Sequence, residues 1–328
     1  MNTEPVNSSV NMVNNPEDDG TSSLTSRHIV VIVPAYNEER FIGSVILKLN
    51  LLPVEVMVVD DGSEDKTAVI AEAAGAVVYK LDNNQGKGAA LNLGFQKARS
   101  LKPDAIVIID ADSQHLPEEL PRLVEPILKD KADICIGSRY LKDESNTPRS
   151  RRIGHKFINL ATSFSSGVYA SDSQSGFRAF SPKAYELIKF KSQGFSVESE
   201  MQFLAAEHNL RLLEVPITIR YSDKAKRPAV QQGVTVLNGI LRLAGQYRPL
   251  LFFGIPGLLL LLTGIIWGLV VIERYVVTQK LATGYAMITV MLSVIGSMMM
   301  STGFTLYSIR TLLIDMLKYD RQDPGKRE

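Results

Sequence analysis

The sequence predicts an α/β fold with a mainly parallel sheet, followed by an α-helical transmembrane hairpin. Short apolar runs alternate with amphipathic segments between residues 28 and 140, an alternation typical of βαβ units. The strand runs are apolar almost throughout, which indicates a sheet covered on both faces. Two long uncharged runs, at residues 250–272 and 284–309, predict the hairpin, because about 20 apolar residues span the hydrocarbon core of a bilayer.

Five strands and four helices are predicted in alternation. In the first helix, Ile42, Val45, Ile46 and Leu49 recur at helical spacing and therefore form one apolar face. Pro34 is expected to end the first strand. The strands are expected in HIVVIVPAY, VEVMVVDDGS, AVVYKLD, DAIVIIDAD and ADICIGSRY, and the helices in FIGSVILKLN, DKTAVIAEAAG, GAALNLGFQKARS and PEELPRLVEPILK.

A polar cluster follows each of the first four strands: PAYNEE, DDGSEDKT, NNQGKG and DADSQH. Open parallel sheets bind ligands beyond the carboxyl ends of their strands, so the clusters predict a nucleotide-sized site at one edge. No G-x-G-x-x-G follows the first strand and no G-x-x-x-x-G-K-[ST] occurs. The chain is therefore not expected to be a dinucleotide dehydrogenase or a P-loop ATPase.

Charge and cysteine content exclude other classes. Lysine and arginine number 36 against 35 acidic residues, so the net charge of +1 provides no overall attraction for nucleic acid, and none is expected as a partner. The single cysteine, Cys135, can form neither an internal disulfide nor a cysteine metal cluster. Because it lies in the apolar run ADICIG, it is expected to be a small core residue.

The segments outside the α/β domain have distinct compositions. Residues 1–26 are rich in Asn, Ser, Thr and Asp without an apolar block, which predicts a disordered tail rather than a signal peptide. The α/β domain then covers residues 27–229. Residues 230–249 place apolar side chains at helical spacing beside Arg242 and Arg248, which predicts an interfacial amphipathic helix. A helix that only packs against the domain stays open as the alternative.

Flanking charges predict the orientation of the two membrane helices. Arginine and lysine flank both outer ends of the hairpin, whereas the connector ERYVVTQKLAT holds only Arg274 and Lys280 with Glu273. By the positive-inside rule, both termini and the large domain lie in the cytoplasm, residues 310–328 form a cytoplasmic tail, and the connector lies outside. A buried helical pair in a soluble protein is the alternative to a membrane hairpin. The outer charges are Arg242, Arg248, Arg310, Lys318, Arg321, Lys326 and Arg327.

Taken together, these motifs resemble the family 2 glycosyltransferases, most closely the polyprenyl-phosphate sugar synthases of the dolichol-phosphate mannosyltransferase type. The resemblance implies a GT-A domain, the Rossmann-like fold of nucleotide-diphospho-sugar transferases, and fits the C-terminal membrane anchor. It covers the chain from about residue 28 to residue 225. The matching stretches, in order, are VPAYNEE, VVDDGSEDKT, NQGKGAALNLGF, DADSQH, GSRY, QSGFRAF, GFSVESEM and EVPITIRYSD.

The resemblance places a divalent cation, Mg²⁺ or Mn²⁺, at DADSQH. Asp110, Asp112 and Gln114 would be its ligands, with Asp112 and Gln114 binding directly and Asp110 binding directly or through water. The chemistry requires hard oxygen ligands, because the cation bridges the diphosphate of a nucleotide sugar. The alternative for this stretch is a turn in which aspartate terminates a strand.

The resemblance also places the nucleotide sugar, GDP-mannose or UDP-glucose, against the neighbouring clusters. Asp61 has an alternative role as a helix-flanking cap, and Lys87 has one as a mobile surface lysine. Gly86 and Gly88 would allow the backbone to approach the nucleotide closely. The residues expected to bind the nucleotide sugar are Pro34, Ala35, Tyr36, Glu38, Asp60, Asp61, Lys87, Asp110 and Ala111.

The implied acceptor is a polyprenyl or dolichyl phosphate, a dianion that needs cationic side chains. By resemblance, Arg139 and either Arg151 or Arg152 would clamp its phosphate. The alternative role of the basic segment PRSRRIGHK is to contact anionic lipid headgroups. The residues expected around the sugar and acceptor are Arg139, Arg151, Arg152, Ser175, Gly176, Phe177 and Glu198.

Two acidic residues and one histidine are left without a single role. Glu198 and Glu200 are two residues apart on an expected helix, so only one of them is expected to face the cleft. Sugar contact, helix capping and weak base catalysis all stay open, because a phosphate acceptor is already ionised and needs no strong base. His115 is expected to be a structural residue rather than a ligand.

The resemblance implies an inverting, metal-dependent glycosyltransferase that moves a sugar, with mannose favoured, onto the lipid phosphate in a single displacement. Asp112, Arg139 and Arg152 are the expected catalytic residues. One alternative is a UDP-glucose-dependent dolichyl-phosphate glucosyltransferase, and another is transfer to a hydroxyl of a lipid or glycan. A membrane scaffold with a vestigial nucleotide-sugar site is the non-enzymatic alternative.

Overall fold

The computed structural model of the protein describes residues 24–141, 149–191, 197–220, 245, 248–280 and 282–322, with the side chains of residues 149–155, 157 and 313–322 outside the description. The chain divides into two units, residues 1–240 and 241–328. Residues 1–23 of the predicted tail lie outside the described residues. So does the predicted interfacial helix, apart from Gly245, Arg248 and Pro249.

The first unit is built on a seven-stranded sheet in the order β3-β2-β1-β4-β6-β5-β7. Neighbouring strands are parallel except for β6, which runs antiparallel to both β4 and β5. The sheet is thus mainly parallel, as predicted. The strands are β1 (Ile29–Ala35), β2 (Glu55–Asp60), β3 (Val77–Lys80), β4 (Ala105–Ile108), β5 (Ile134–Ser138), β6 (Arg178–Phe180) and β7 (Leu212–Pro216).

Helices connect the strands and cover the sheet. In α1 the buried residues are Ile42, Val45, Ile46 and Leu49, which confirms the predicted apolar face. Each of these side chains contributes about 1.5–3 kcal/mol by leaving water. The helices are α1 (Ile42–Leu49), α2 (Thr67–Ala73), α3 (Lys87–Leu101), α4 (Leu120–Leu128), preceded by a 3₁₀ turn (Pro117–Glu119), α5 (Arg149–Ser166), α6 (Pro182–Leu187) and α7 (Val197–Glu207).

Two details differ from the sequence-based expectation. Pro34 does not end the first strand: it pairs with Val59 inside β1, which runs to Ala35. Proline lacks the backbone N–H and fixes φ at about −65°, which still lies in the extended region, and its carbonyl can accept a hydrogen bond. Leu24, which belongs to the predicted tail, is fully buried in the core, so the packed domain includes this residue.

The register brings the carboxyl ends of the strands together at one edge. Ala35 at the end of β1 pairs with Asp60 at the end of β2, and Ile108 at the end of β4 pairs with Arg178 of β6. β5 and β7 end together, with Ser138 opposite Pro216. The polar loops that follow these strands therefore share one side of the domain.

The second unit contains two long apolar helices, both candidate membrane spans by length and composition. A π-helical turn (Leu250–Gly254) leads into α8 (Ile255–Thr278), and α9 covers Thr283–Gln322. The helices are longer than the predicted spans. α8 continues through Glu273 and Arg274 to Thr278 and is followed by Gln279, whose φ of 53° is left-handed, so the connector is shorter than the sequence indicated.

Glycines allow the two helices to approach closely. A Cβ added to Gly257 would lie 2.8 Å from the carbonyl oxygen of Gly296, and one added to Gly296 would lie 2.5 Å from the backbone nitrogen of Leu261. Gly264 faces Ser293 in the same way, at 2.6 Å from its Oγ. Small residues at such contacts are typical of helices that pair within a bilayer.

Candidate active site

Two carboxylates follow β4 within one tight turn. Ser113 has a φ of 62°, so the chain turns sharply, and the Gln114 N–H donates to Asp112 Oδ1 at 3.0 Å. The turn that the sequence offered as an alternative to a metal site is therefore present. It does not exclude that site, because it presents the Asp110 and Asp112 side chains to the same edge of the sheet.

Lys87, the first residue of α3, joins Asp110 to Glu198 on α7. Its Nζ lies 2.6 Å from Asp110 Oδ1 and 2.6 Å from Glu198 Oε1. Burial opposes the charge on Asp110, but the Lys87 ammonium beside it holds the pKa of this carboxyl below its ordinary value. Lys87 is thus a partly buried ion-pair partner of these carboxylates rather than a mobile surface lysine.

Asp112 is partly buried near two other carboxylates, those of Asp110 and Glu38, whose negative charges disfavour its own. Burial, followed by the charges of Asp110 and Glu38, raises the pKa of the Asp112 carboxyl to about 6. Clustered carboxylates of this kind are stabilised by a hard divalent cation, and their oxygens are the ligands that Mg²⁺ and Mn²⁺ prefer. The residues therefore fit such an ion. Among the residues that the structure describes, no group of three or more His, Cys, Asp and Glu side chains could hold a metal by itself, so this site needs Gln114 or ligand oxygens in addition.

The loop after β1 is tied to the loop after β2. The backbone N–H of Asn37 donates to Ser63 Oγ at 2.9 Å, and that of Glu38 donates to Thr67 Oγ1 at 2.8 Å. Asn37 has a φ of 54°, so it turns the chain away from β1. Tyr36 is 40% exposed at this turn, where its ring is accessible to a ligand.

Asp60 and Asp61 serve as structural acceptors in this loop system. Asp60 is fully buried and accepts the N–H of Ser63 at 3.2 Å. Both oxygens of Asp61 accept backbone N–H groups, from Gln85 and Gly86, each at 2.8 Å. Asp61 thus positions the turn before α3, and hence Lys87, rather than capping α2. Burial raises the pKa of Asp61 despite these hydrogen bonds.

Arg139 follows β5 and is almost completely buried. Asp172 Oδ2 accepts both its backbone N–H, at 3.1 Å, and its Nε–H, at 2.6 Å. The charge of Arg139 is close enough to help lower the pKa of Asp110. The structure therefore brings one predicted phosphate ligand near the predicted metal ligands. Arg151 and Arg152 lie on α5, but their side chains are outside the description.

The segment before β6 closes over Asp110. A Cβ on Gly176 would lie only 2.1 Å from Asp110 Oδ2, so no side chain fits there. Ser175 and Phe177 are both fully buried, and the Phe177 ring lies 5.4 Å from the ring of His115. Arg178 is also fully buried and donates to the backbone carbonyls of Ser175 and Ser173, at 2.9 and 2.8 Å.

Glu198, Glu200 and His115 have different partners in the structure. Glu198 faces Lys87, whereas Glu200 Oε1 accepts the backbone N–H of Lys191 at 2.8 Å, so the two point to different partners. His115 is buried with its Nε2 3.9 Å from Asp110 Oδ2. Burial lowers the pKa of His115 to about 4, so the ring is neutral at physiological pH.

Asp172 and Glu214 are polar residues of this region to which sequence reasoning assigned no role. Asp172 lies three residues before Ser175 of the matching stretch QSGFRAF, and Glu214 is the first residue of the matching stretch EVPITIRYSD. Both residues were thus on or next to matching stretches, but their partners come from other parts of the chain. Only the fold shows that they meet Arg139 and the turn around Ser171.

Comparison with known proteins matches residues 30–188 to the family model described as Glycosyl transferase family 2. The UDP-N-acetylglucosamine–dolichyl-phosphate N-acetylglucosaminyltransferase of Methanococcus voltae is 31% identical over 61% of this chain and 88% of its own length. The polyprenol monophosphomannose synthase of Mycolicibacterium smegmatis is 32% identical over 62% of this chain and 80% of its own.

A solved structure with the same fold is glucosyl-3-phosphoglycerate synthase from Mycobacterium tuberculosis, in complex with Mg²⁺ and UDP. It covers 69% of this chain and 82% of its own, with a TM-score of 0.55 and 23% identity. That likeness establishes the GT-A-like fold alone. Together with the family model and the two sequence relatives, it leads to one conclusion: this chain is a glycosyltransferase and belongs to glycosyltransferase family 2.

Proposed function

We propose that this protein transfers a sugar from a nucleotide sugar to a polyprenyl or dolichyl phosphate at the membrane. The observation that carries the proposal is that Asp110 and Asp112 lie close together after β4, where they could hold a cation, with Arg139 near enough for its charge to act on Asp110. Relatives named for transfer to dolichyl phosphate or for a polyprenol monophosphate sugar support the acceptor class. The two apolar helices support a lipid substrate.

In the proposed reaction, an oxygen of the lipid phosphate attacks the anomeric carbon while the bond from that carbon to the nucleoside diphosphate breaks. Configuration inverts, and no covalent enzyme intermediate forms. Arg139, with Arg151 or Arg152, holds the acceptor phosphate, and Lys87, which pairs with Asp110 in the structure, is assigned to the donor diphosphate. The acceptor is already an anion, so Glu198 is not needed as a base and instead orients Lys87.

A divalent cation, Mg²⁺ or Mn²⁺, would be held by Asp112 and Gln114, with Asp110 binding directly or through water. When bound, it would neutralise charge on the departing diphosphate. The carboxylate environment of Asp112 supports this assignment. Crystals of the M. tuberculosis glucosyl-3-phosphoglycerate synthase, a protein of the same fold, contain Mg²⁺ or Mn²⁺ with UDP, which supports the choice of ion.

The donor proposed first is GDP-mannose, with UDP-glucose as the second candidate. The M. smegmatis relative is named for a mannose product, whereas the M. voltae relative is named for UDP-N-acetylglucosamine. All three donors therefore belong in the test. The large domain and both termini are proposed to be cytoplasmic, since lysine and arginine flank the outer ends of the hairpin.

The test uses the purified full-length chain in detergent with undecaprenyl phosphate, Mg²⁺ or Mn²⁺, and each of the three radiolabelled donors in turn. Label in a mild-acid-labile lipid, lost with EDTA and restored by either ion, supports the proposal. Transfer only to hydroxyl acceptors would overturn it. Asp112→Ala and Gln114→Ala should remove the activity, and a scaffold role would be indicated if both left the cellular phenotype unchanged.

A further inference from the structure

We infer that Asp172 and Glu214 are positioning residues that hold Arg139 in the orientation needed to bind the acceptor phosphate. The inference rests on the proposed function, because it concerns the residue to which that function gives the phosphate. Neither acidic residue is expected to touch substrate. Their effect would pass through hydrogen bonds alone, and the structure supplies a continuous set of them.

The first link is between Asp172 and Arg139. A single oxygen, Asp172 Oδ2, accepts from the backbone N–H and from the Nε–H of Arg139, at 3.1 and 2.6 Å. The backbone bond places the residue and the Nε bond sets the direction of the planar guanidinium. Because Asp172 is fully buried, this pair is screened from water and its geometry is strongly favoured.

The second link holds Asp172 itself. Glu214 Oε1 accepts the backbone N–H of Asp172 at 3.1 Å, and both Glu214 oxygens accept the backbone N–H of Ser171, at 3.0 and 2.9 Å. The Ser171 hydroxyl also donates to Glu214 Oε1 at 3.0 Å. One carboxylate therefore binds two successive backbone N–H groups and a hydroxyl, which immobilises the turn that carries Asp172.

The third link closes the network onto the strand that carries Arg139. Glu214 lies on β7, in register with Ile136 of the parallel neighbour β5. The hydroxyls of Ser138 and Ser171 lie 2.6 Å apart, and since Ser171 donates to Glu214, Ser138 donates here. Ser138 immediately precedes Arg139, so this bond holds the backbone before the arginine relative to β7. Asp172 holds the arginine side chain.

The cost of this arrangement argues against a purely stabilising role. Asp172 Oδ1 is buried and has no hydrogen-bond partner within the part of the chain that the structure describes, and burial raises the pKa of Glu214. Buried carboxylates with an unpaired oxygen destabilise a fold relative to apolar packing. A network that costs stability yet converges on one arginine at the site is explained by the need to orient that arginine.

The test measures KM for undecaprenyl phosphate, KM for the nucleotide sugar, and kcat. Glu214→Gln keeps the shape but weakens the bonds to the turn, and it should raise the acceptor KM about tenfold while the donor KM stays within about twofold, as expected for one disrupted link in a shared network. Ser171→Ala removes a single hydroxyl and should act in the same direction by about two- to threefold. Glu72→Gln, on the exposed side of α2, is the matched control and should change neither KM.

A double-mutant cycle distinguishes positioning from general damage. In an Arg139→Ala background, Glu214→Gln should change the acceptor KM by less than about twofold, because the residue through which it acts is gone. An undiminished effect in that background, or an equal rise in the donor KM, would overturn the inference. If Arg139→Ala itself leaves the acceptor KM at the wild-type value, the proposed role of Arg139 is wrong and the inference fails with it. Ser171→Ala keeps the test decisive should Glu214→Gln fold poorly.

Discussion

Lys87 Nζ lies 2.6 Å from Asp110 Oδ1, so the first residue of α3 neutralises the first carboxylate after β4. The same ammonium contacts Glu198 of α7, which brings three separate parts of the chain to one charge cluster. The ion pair between Lys87 and Asp110 explains why the carboxylates of Asp110 and Asp112 can be held close together before a cation or substrate is bound. Removing Lys87 should therefore disturb the arrangement of these carboxylates.

Lys87→Ala should lower kcat/KM by about 100-fold, since it removes a preorganised cation from a partly buried site and leaves Asp110 and Asp112 to repel each other. The measurement is steady-state transfer of label to the lipid acceptor. Lys97→Ala is the matched control, because Lys97 lies on the same helix with its ammonium over the Tyr79 ring, 5.0 Å from the centroid. Equal losses in both variants would contradict the assignment.

Gly176→Ala should lower the rate of transfer by about 100-fold while leaving the fold intact. The added methyl would lie 2.1 Å from Asp110 Oδ2, so Asp110 or the segment before β6 must move. A displacement of about 1 Å at a reacting site costs about 100-fold in rate. Gly245→Ala is the control, because its methyl would meet only ordinary contacts at 3.8 Å and beyond. Circular dichroism checks folding, and activity above a tenth of wild type would count against this role for Gly176.

Acid stability should depend on Asp133. This buried carboxylate accepts hydrogen bonds from the Arg211 side chain at 3.2 Å, from the Arg211 backbone N–H at 2.7 Å and from Lys183 at 3.3 Å. Burial opposes its ionisation, but these hydrogen bonds hold the pKa of Asp133 below its ordinary value. The stabilisation is therefore present above the unfolded pKa, about 3.9, and is lost as pH falls through the lower folded pKa.

Asp133→Asn should consequently lower the free energy of unfolding by about 1–3 kcal/mol at pH 7, and the difference from wild type should shrink as the pH falls below about 4. Thermal unfolding of the detergent-solubilised protein across this pH range measures it. Asp104→Asn serves as the comparison, because Asp104 forms a half-exposed ion pair with Arg27. This substitution should lower the free energy of unfolding by less than about 1 kcal/mol. A pH-independent difference for Asp133→Asn would contradict the mechanism.

Packing of the membrane hairpin should be sensitive to Gly296. In a helix, Gly→Ala ordinarily stabilises by about 1 kcal/mol. Gly296→Ala should instead destabilise, because its Cβ would lie 2.5 Å from the Leu261 backbone nitrogen. Gly284→Ala on the same helix meets nothing within 4 Å and should be neutral or stabilising. Resistance to thermolysin during heating distinguishes the two; the opposite order would show that the helices do not pair through this contact.

Topology can be read with thiol labelling, because the native Cys135 is buried and burial raises the pKa of its thiol, so wild type gives little background. Gln279→Cys in the connector should react with an impermeant maleimide on intact cells. Ser100→Cys, on an exposed part of the large domain, should react only after permeabilisation. The reverse pattern would place the domain outside and overturn the proposed orientation.

The parts of the fold that follow local rules were predictable. The five strands and four helices of the first half follow from apolar periodicity, which is a property of neighbouring residues. β6 and β7 were not predicted, since β6 has only three residues and the pairing partners of both strands lie far away in the chain. The antiparallel entry of β6 between β4 and β5 likewise has no local signature.

The sequence by itself determined that polar clusters gather at one edge of a parallel sheet, that the chain resembles family 2 glycosyltransferases, and that two apolar helices follow. These follow from periodicity, composition and motif spacing. Only the tertiary structure decided the partners of each polar side chain: that Asp61 holds the turn before Lys87, that Gly176 must be small beside Asp110, and that Asp172 accepts two hydrogen bonds from Arg139. The reason is physical, because hydrogen bonds and close contacts between residues distant in the chain are set by strand order and packing, which local sequence does not specify.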